Sequence, residues 1–389
     1  MSGLTVAILA GGFSEKLHLL SGEINKTYIK IMGKSILEYI LESLKDINPQ
    51  KIILITDDVA KGEEIIKGRI IAPETRVQKQ SGAGILGAFK TVGDLLTKED
   101  QFILVVYGDI IVSGEAYRSI VAHVDELRER DLGGVFLGVA EEPRRNHWLI
   151  ESDERGFVKN VSPSTISVSG YIAGGIYLVR REFFELVDKF DELYKIFNEY
   201  VRKYRVKLLH WGHYWVDIGS PWDLLKANYV LLSELRVSRI HSSAKISQRA
   251  IIEGPVIIEE DAEIDHYALI KGPVYIGRGV FVGAYSFIRD HTSIGDEASI
   301  ASNVEINRSF IMHRATIGRG SYVSYTVIGS EAVLEPNVLI KSVSPREYEE
   351  AYKSIIRGRR YLKLGAVVYG KARVSAGRVL EAGEEVERE

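Results

Sequence analysis

Three short stretches of the chain carry residue types suited to binding a phosphate group and a metal ion. Gly11 and Gly12 directly follow the apolar run 6–9. Small residues after a buried strand let backbone N–H groups turn toward a phosphate without a side chain in the way. Asp109 follows the apolar run 102–107, where a carboxylate is well placed to hold a metal ion or a hydroxyl group. Asp217 is a second carboxylate, in a loop-like stretch rich in aromatic residues, Gly and Pro.

Each of these features also has a purely structural interpretation. A strand followed by a Gly turn and a helix is a common opening of an α/β domain, and the residues after the turn include one early cation, Lys16. Asp109 taken alone is equally well explained as a helix N-cap or a turn residue. The elements around these residues must therefore decide between the two interpretations.

The first 110 residues predict a sheet that would position these groups. Apolar runs alternate with helical periodicity, giving strands over 6–9, 52–56 and 102–107 and helices over 35–44 and 83–96. Such alternation predicts a mostly parallel sheet with helices on both faces. Ligands of these sheets bind at the C-terminal ends of the strands, which is where Gly11-Gly12 and Asp109 lie.

Residues 131–230 indicate a mixed α and β region. The predicted elements are strands over 134–139, 149–151 and 174–179, helices within 181–204, and a helix over 222–235. The stretches 206–210 and 211–215 would reach the same face as Asp217. Ser220 and Pro221 are typical of a helix start, with Ser as N-cap and Pro in the first turn. We expect this last helix to end a first domain of residues 1–235.

Residues 236–389 carry a six-residue repeat. Aliphatic residues stand six apart from Ile240 to Ile306, and a small or β-branched residue follows four positions after each of them up to Ile300. This period predicts a parallel β-helix, in which the aliphatic side chain points inward and the small residue fits a tight corner. The phase slips by one at Ile311 and again at Ile328. We assign repeats to 240–343, a helix-like charged insertion to 344–363, and further coils to 364–389.

Composition narrows the class of protein. The chain has 389 residues, of which 46% are hydrophobic and 26% charged, as in a globular protein with more than one core. A net charge of −3 gives no electrostatic case for binding nucleic acid or an anionic membrane. The absence of cysteine excludes disulfides, thiolate metal sites and a cysteine nucleophile. No apolar run approaches the length of a membrane span, so we expect a cytoplasmic protein.

Taken together, these stretches resemble the sugar-1-phosphate nucleotidyltransferases that carry a C-terminal left-handed β-helix. The archaeal bifunctional N-acetylglucosamine-1-phosphate uridyltransferase/glucosamine-1-phosphate acetyltransferase proteins are the most similar type. The resemblance covers nearly the whole chain, through LAGG at 9–12, Lys26 with YIKIMGKSILEYIL after it, YGD at 107–109, YWVDIGSPWDLLKAN at 214–228 and GRRYLKLGAVVYG at 358–370. It implies an α/β, Rossmann-like nucleotidyltransferase domain with a mixed, mostly parallel sheet, followed by a left-handed parallel β-helix.

The resemblance also implies a reaction and a set of residues. A phosphate oxygen of a sugar-1-phosphate attacks the α-phosphate of a nucleoside triphosphate and releases pyrophosphate, without a protein nucleophile. Asp109 and Asp217 would hold Mg²⁺, and Lys26 would contact a substrate phosphate. Gln78 would bind the base, with Gly82 behind it. The full implied set is catalytic Lys16, Lys26 and Asp109, and nucleotide-binding Leu9, Ala10, Gly11, Gly12, Gln78, Gly82 and Gly108.

The chain departs from the family pattern at several of its contact positions. The family loop reads AGG-x-G-T-R, and its last three positions are here Ser14, Glu15 and Lys16. This removes a glycine suited to positive φ and a bidentate arginine clamp that Lys cannot reproduce, and Glu15 adds a negative charge. The other substituted positions, most of them in the sugar site, are Asn25, Ala83, Asn146, His147, Val161, Ser162 and Ala173.

The β-helix departs from the family as well. Arg319 stands where the resemblance places the histidine base of acetyl transfer, and a guanidinium cannot accept a proton. His266, His291 and His313 lie elsewhere in the coils, where a solvent-facing or interface role is expected. We therefore expect the β-helix to serve oligomerisation, as a trimer, rather than acetyl transfer.

Three functions stay open from the sequence. The first is a Mg²⁺-dependent nucleotidyltransferase acting on a nucleoside triphosphate and a sugar-1-phosphate, which the retained Asp109, Asp217 and Lys26 favour. The second is a catalytically degenerate regulatory or scaffolding paralogue that binds nucleotide or sugar nucleotide and assembles with an active homologue, which the lost loop and sugar-site residues favour. The third is an acyltransferase acting through the β-helix alone.

Overall fold

The chain forms two compact units. The computed structural model describes residues 3–67, 69, 71–129, 132–144, 147–165, 170–342 and 363–387. One unit comprises Met1–Phe13 and Ile36–Asp217, and the other comprises Ser14–Ser35 and Ile218–Glu389. The segment Ser14–Ser35 is thus part of the unit that contains the repeats, whereas the sequence places it among the residues of the N-terminal domain.

A mixed sheet forms the centre of the first unit. The strand Leu4–Ala10 lies between Lys51–Thr56 and Phe102–Tyr107 and is parallel to both. Nearly every residue of these three strands is buried, which explains their continuous apolar runs. Glu74–Lys79 extends the sheet in parallel on one side, and Tyr171–Arg180 pairs antiparallel on the other. The predicted mixed α/β sheet is confirmed.

Further strands and helices complete the first unit. The other strands are Ile110–Val112, Gly134–Val139, Trp148–Ser152, Val158–Pro163, Val206–Trp211 and Trp215–Asp217. The α-helices are Ile36–Leu44, Val59–Ile66, Gly84–Leu95, Gly114–Val121, Val124–Arg128 and Leu193–Lys203, and the 3₁₀ segments are Lys45–Ile47 and Arg181–Lys189. Ile36, Ile40 and Leu44 recur at helical spacing and are buried, as the periodicity of 35–44 predicts.

The second unit contains the repeats as a parallel β-helix with three faces. Its first face comprises Arg239–Ile240, Val256–Ile258, Val274–Ile276, Thr292–Ile294, Phe310–Ile311, Val327–Ile328, Val367–Val368 and Glu385–Val386. Its second comprises Lys245–Ile246, Glu263–Ile264, Phe281–Val282, Ser299–Ile300, Thr316–Ile317, Val333–Leu334 and Arg373–Val374. Its third comprises Ile251–Glu253, Leu269–Lys271, Phe287–Arg289, Glu305–Asn307, Tyr322–Ser324, Leu339–Ile340 and Val379–Leu380.

The strand register explains the slips in the repeat. Ile276 pairs with Ile294, eighteen residues later, but Ile294 pairs with Ile311, seventeen residues later. One corner of the later coils is therefore a residue shorter, while the inward side chains stay stacked and fully buried. The predicted parallel β-helix is confirmed. The predicted insertion at 344–363 lies outside the described residues, apart from Lys363.

Two further segments of the second unit pack on the β-helix. The N-terminal segment contributes the helix Glu15–Ser21, a 3₁₀ turn at Lys26–Tyr28, and a hairpin of Lys30–Ile31 and Lys34–Ser35. The helix Pro221–Ser233 begins as predicted, because the backbone N–H and the hydroxyl of Ser220 both donate to Asp223 Oδ2 at 2.8 Å. Asn228 of this helix donates to the carbonyl oxygen of His291 at 2.8 Å.

No helix in the described ranges is both long enough and apolar enough to cross a membrane.

Shortening one inward side chain of the β-helix tests whether the stacked aliphatic side chains stabilise it. Ile300 is fully buried and lies between Val282 and Ile317 of the neighbouring coils. We expect Ile300→Ala to lower the free energy of unfolding by about 2–5 kcal/mol, measured by urea denaturation followed by circular dichroism. Ser299→Ala at the exposed neighbouring position is the control and should leave stability unchanged. Equal effects of the two substitutions would contradict this account of the core.

Candidate functional site

The three central strands of the first unit end side by side. Ala10 lies opposite Thr56, and Leu9 lies opposite Tyr107 in the parallel register. The residues that follow these strands, among them Gly11 and Gly108, therefore meet at the carboxyl edge of the sheet. The Gly108 N–H donates to the Leu9 carbonyl oxygen at 2.9 Å, which joins two of the strand ends directly.

Glycine is required at two positions of this edge. A Cβ on Gly108 would lie 2.7 Å from the Ala10 Cα and 2.9 Å from the Leu9 oxygen, closer than any real side chain packs. Gly12 has a φ of 142°, a conformation that side chains disfavour. The edge is therefore a backbone surface, suited to a ligand that approaches the main chain closely.

Two residues that the sequence analysis does not single out contact the glycine loop. The Gly12 N–H donates to Asp57 Oδ2 at 3.1 Å. Gln80 Oε1 lies 2.5 Å from where a Gly11 Cβ would stand, and Gln80 Nε2 donates to the carbonyl oxygens of Gly82 and Gly84 at 2.6 and 2.8 Å. Asp57 directly follows the strand 51–56, just as Gly11 follows the first strand, so the strand-end rule could have found it.

Gln78 and Gly82 lie in the same region of the first unit. Gln78 is on the strand Glu74–Lys79, is exposed, and donates only weakly, at 3.5 Å, to the neighbouring Lys79 oxygen. Gly82 packs backbone to backbone against Gly87, where a Cβ on Gly87 would lie 2.4 Å from the Gly82 carbonyl carbon. Gly82 thus shapes the start of the helix Gly84–Leu95, while the Gln78 side chain points into solvent.

The fold places the two candidate metal-binding carboxylates next to each other. The strand Trp215–Asp217 is antiparallel to Ile110–Val112, and Asp217 lies opposite Ile110, the residue after Asp109. Burial raises the pKa of the Tyr107 hydroxyl well above its usual range, and the charges of Asp109 and Asp217 add to this rise. Both carboxylates therefore lie close to one buried hydroxyl, that of Tyr107.

His147 orients one of these carboxylates. Its Nδ1 accepts the backbone N–H of Arg144 at 3.1 Å, so the neutral ring carries its proton on Nε2. That nitrogen donates to Asp217 Oδ2 at 3.2 Å. His147 is only 8% exposed and packs edge-on against Trp215, so its ring is held in place. In the sequence this residue is marked only as a departure from the family pattern.

The donor set fits a divalent cation that shares its ligands with a substrate. Two adjacent carboxylates repel each other, and a cation between them removes this repulsion. Within the described ranges no group of three or more acidic or histidine side chains could hold a metal ion unaided. A hard cation with few protein ligands takes water and substrate phosphate oxygens as the others.

The substituted sugar-site positions have local structural roles. Asn198 accepts from the Val161 N–H and donates to the Val161 oxygen, both at 2.8 Å. The Ser162 hydroxyl is buried without a described partner. Asn146 lies outside the described residues.

Both candidate lysines belong to the second unit and have partners within it. Lys16 Nζ lies 2.9 Å from both carboxylate oxygens of Glu385, which also accepts the hydroxyl proton of Tyr369 at 2.8 Å. Lys26 Nζ donates to the Ile218 carbonyl oxygen at 2.9 Å.

Arg319 and the β-helix histidines named above have separate local surroundings. Arg319 is exposed, and His266 is an exposed residue that bonds to Asp265 at 2.7 Å. His291 stacks on Tyr229 of the helix Pro221–Ser233. His313 is half-buried, and this burial lowers its pKa.

Comparison with known proteins assigns the family. Residues 5–234, more than half of the chain, match the family described as nucleotidyl transferase. The chain belongs to the nucleotidyl transferase family. Residues 270–359 also match the family described as the GMPPB C-terminal domain. Nucleotidyl transferases generally use a divalent metal ion, in agreement with the acidic pair at the sheet edge.

Two curated relatives of this nucleotidyl transferase match it almost from end to end. The bifunctional sugar-1-phosphate nucleotidylyltransferase/acetyltransferase of Sulfurisphaera tokodaii is 30% identical over 379 residues, covering 94% of this chain and 90% of the relative. The bifunctional protein GlmU of Methanocaldococcus jannaschii is 29% identical over 377 residues, covering 93% and 86%. The predicted resemblance is confirmed.

A solved structure supports the fold of the first part of the chain. A protein assigned as a glucose-1-phosphate thymidylyltransferase from Bacillus anthracis aligns with a TM-score of 0.51 at 19% identity. The alignment covers 61% of this chain and 98% of the other. At this identity the match concerns the fold alone.

The contact between Asp57 and the Gly12 N–H predicts that Asp57 weakens the binding of a nucleoside triphosphate. A carboxylate beside the loop repels a triphosphate, and two unit charges about 4 Å apart in water interact by about 1 kcal/mol. We expect Asp57→Asn, which keeps a hydrogen-bond acceptor, to tighten binding of a nucleoside triphosphate about fivefold. Titration calorimetry with ATP, CTP, GTP, UTP and dTTP measures this.

The neighbouring Asp58 supplies the control for this substitution. Asp58 caps the helix Val59–Ile66 by accepting the Lys61 N–H, and Asn caps equally well. Asp58→Asn should therefore leave the affinity unchanged. Unchanged or weaker binding by Asp57→Asn would show that Asp57 does not oppose the triphosphate.

Proposed function

We propose that this nucleotidyl transferase makes a nucleotide sugar and pyrophosphate from a nucleoside triphosphate and a sugar-1-phosphate. The observation that carries the proposal is the edge of the first unit, where the Gly11-Gly12 backbone and Asp109 follow adjacent strands and Asp217 ends a strand that pairs with Ile110–Val112. A backbone cradle and two carboxylates are the parts that nucleotidyl transfer needs, because the reaction depends on positioning and charge neutralisation. The sugar-1-phosphate activity named for the Sulfurisphaera tokodaii relative supports this choice of substrate.

The reaction exchanges one bond at the α-phosphorus for another. A phosphate oxygen of the sugar-1-phosphate forms a bond to the α-phosphorus, and the bond to the bridging oxygen of the β-phosphate breaks. The electron pair of that bond leaves with pyrophosphate. Mg²⁺, held by Asp109 and Asp217, would neutralise the negative charge of the triphosphate. The backbone of Leu9 to Gly12 binds the nucleotide, together with Gly82 and Gly108.

The other side chains have proposed roles that rest on the family resemblance. Gln78 hydrogen-bonds the base, and its exposed position leaves it accessible for that contact. Lys26 contacts a substrate phosphate. Lys16 provides a positive charge in the segment that follows the Gly11-Gly12 loop. His147 positions Asp217, because its Nε2 donates to one oxygen of that carboxylate.

One observation supports a second candidate function. Lys16 is paired with Glu385, and the Gly12 N–H is occupied by Asp57, so two groups expected to bind the triphosphate have other partners. The second candidate is a catalytically degenerate paralogue that binds nucleotide or sugar nucleotide and regulates or supports an active homologue.

We propose that the β-helix assembles the protein as a homotrimer. Its third face presents a ladder of outward side chains in register, which is apolar at every position except Glu305, namely Ile251, Leu269, Phe287, Glu305, Tyr322, Leu339 and Val379. Ile251 is 54% exposed and Val379 46%, an unusual exposure for aliphatic residues aligned along one face. Acetyl transfer is not proposed, because Arg319 cannot act as its base. The cytoplasmic location stays a prediction.

A panel of substrates tests the proposed reaction. The protein with Mg²⁺ is given each of five nucleoside triphosphates and a set of sugar-1-phosphates, and pyrophosphate release is measured. We expect turnover with at least one pair, and a loss of about 100-fold or more in Asp109→Ala and in Asp217→Ala. Asp191→Ala, an exposed acidic residue of the same unit, is the control. Nucleotide binding without turnover on any pair would favour the paralogue.

The role of His147 can be tested through the metal requirement. Replacing the partner of a metal ligand typically weakens metal affinity about 10-fold to 100-fold. We therefore expect His147→Phe to raise the Mg²⁺ concentration for half-maximal activity about tenfold, with a small change at saturating Mg²⁺. Binding of Mn²⁺, followed by electron paramagnetic resonance, should weaken in parallel. His210→Phe, which replaces an exposed histidine packed against Tyr171, is the control. An unchanged metal requirement would refute the positioning role.

A further inference from the structure

The second unit contains a cavity that the nucleotidyl transfer site does not explain. It has a volume of about 340 Å³ and lies between the segment 21–33 and the β-helix coils over 275–314. All of its lining residues belong to the second unit, and none of them has a role in the reaction proposed above. Its volume is at the lower end of the range for small-molecule sites, about 300–1,000 Å³.

The floor of the cavity is apolar and aromatic. Tyr28, Tyr275, Phe310 and Met312 line it, and each is at most 5% exposed. Gly33 at the hairpin tip packs against the Tyr275 hydroxyl, where a Cβ on Gly33 would lie at 2.5 Å. A rigid floor of this kind suits one face of a sugar or base ring.

The rim of the cavity carries two cations with few ion-pair or hydrogen-bond partners. Within the described part of the chain, the Lys30 ammonium has no ion-pair or hydrogen-bond partner. The Arg278 guanidinium has only a distant partner, Glu297, at 3.9 Å. Asp296 is held in the coil, because its Oδ1 accepts the Arg278 backbone N–H at 3.0 Å. A phosphate group at this rim would gain two cations whose present contacts are weak.

Acceptors and a neutral imidazole line the rest of the wall. Glu23 and Glu297 supply carboxylates, which accept hydrogen bonds from hydroxyl groups. His313 Nδ1 bonds to the Ser330 hydroxyl at 3.1 Å, and its other ring nitrogen has no described partner. The lining thus combines phosphate-binding cations with acceptors for hydroxyls over an apolar floor, which is the pattern that a polyhydroxylated phosphate ester requires.

We propose that this cavity binds a phosphorylated sugar, either free or as part of a nucleoside monophosphate, at a site separate from nucleotidyl transfer. The phosphate contacts Lys30 and Arg278, the sugar hydroxyls contact Glu23 and Glu297, and the ring covers Tyr275. The bound ligand contacts both the segment 21–33 and the coils. That segment carries Lys26, so any effect of the ligand on catalysis rests on the proposed function, whereas the binding itself does not.

Calorimetric titration of the full chain tests the site. Glucose 6-phosphate, UMP and inorganic phosphate are titrated separately in EDTA, which suppresses metal-dependent binding elsewhere. We expect binding of glucose 6-phosphate, UMP or both, and the arm that binds identifies a free sugar phosphate or a nucleotide as the ligand. The double variant Lys30→Ala/Arg278→Ala should lose about tenfold or more in affinity. Lys245→Ala/Arg373→Ala, which removes two exposed cations from another face of the β-helix, should not.

Hydrogen exchange locates the bound probe independently of affinity. Peptides covering 21–33 and 293–314 should exchange more slowly with the probe bound. The proposal is overturned if neither organic phosphate binds at about 1 mM, if inorganic phosphate binds as tightly as both, or if the double variant binds like the wild type. Protection at residues 9–12 and 107–109 instead would also overturn it. Pyrophosphate release reports on the proposed function separately, so the failure of one proposal is distinguishable from the failure of the other.

Discussion

The register of three parallel strands determines the chemistry of the first unit. Because Leu9 lies opposite Tyr107 and Ala10 opposite Thr56, the residues after these strands meet at one edge. The fit is tight enough that no side chain can be accommodated at Gly108. A shift of one residue in either pairing would turn the side chains to the other face and separate the glycine loop from the carboxylates. The site is therefore a consequence of strand pairing more than of any single side chain.

Charge is the second constraint on this edge. Asp57 at the Gly12 N–H and the adjacent Asp109 and Asp217 give the first unit several carboxylates around a loop expected to bind phosphates. Such an arrangement is unfavourable for a triphosphate alone and favourable for a triphosphate bound to a divalent cation. His147 supports this interpretation, because its Nε2 proton fixes one Asp217 oxygen without adding a further negative charge.

The sequence was most informative where one local rule repeats. The inward aliphatic positions of the β-helix recur every six residues, and even the slip at Ile311 corresponds to a coil that is one residue shorter. The buried central strands were equally clear as continuous apolar runs. In contrast, the contact of Gln80 with the glycine loop joins segments far apart in sequence, and no local pattern predicts it. For the same reason the sequence did not predict the hydrogen bond from His147 to Asp217. It also did not predict that Ser14–Ser35 belongs to the second unit.

A crystal structure with Mn²⁺ and a bound nucleoside triphosphate would test the central claim most directly. The claim is that the edge formed by Leu9 to Gly12, Asp109 and Asp217 binds the metal-nucleotide complex. The account predicts an anomalous scattering peak for Mn²⁺ in contact with the carboxylates of Asp109 and Asp217, and triphosphate oxygens within hydrogen-bond distance of the Gly11 and Gly12 amides. A metal peak elsewhere, with the nucleotide bound away from this edge, would contradict it.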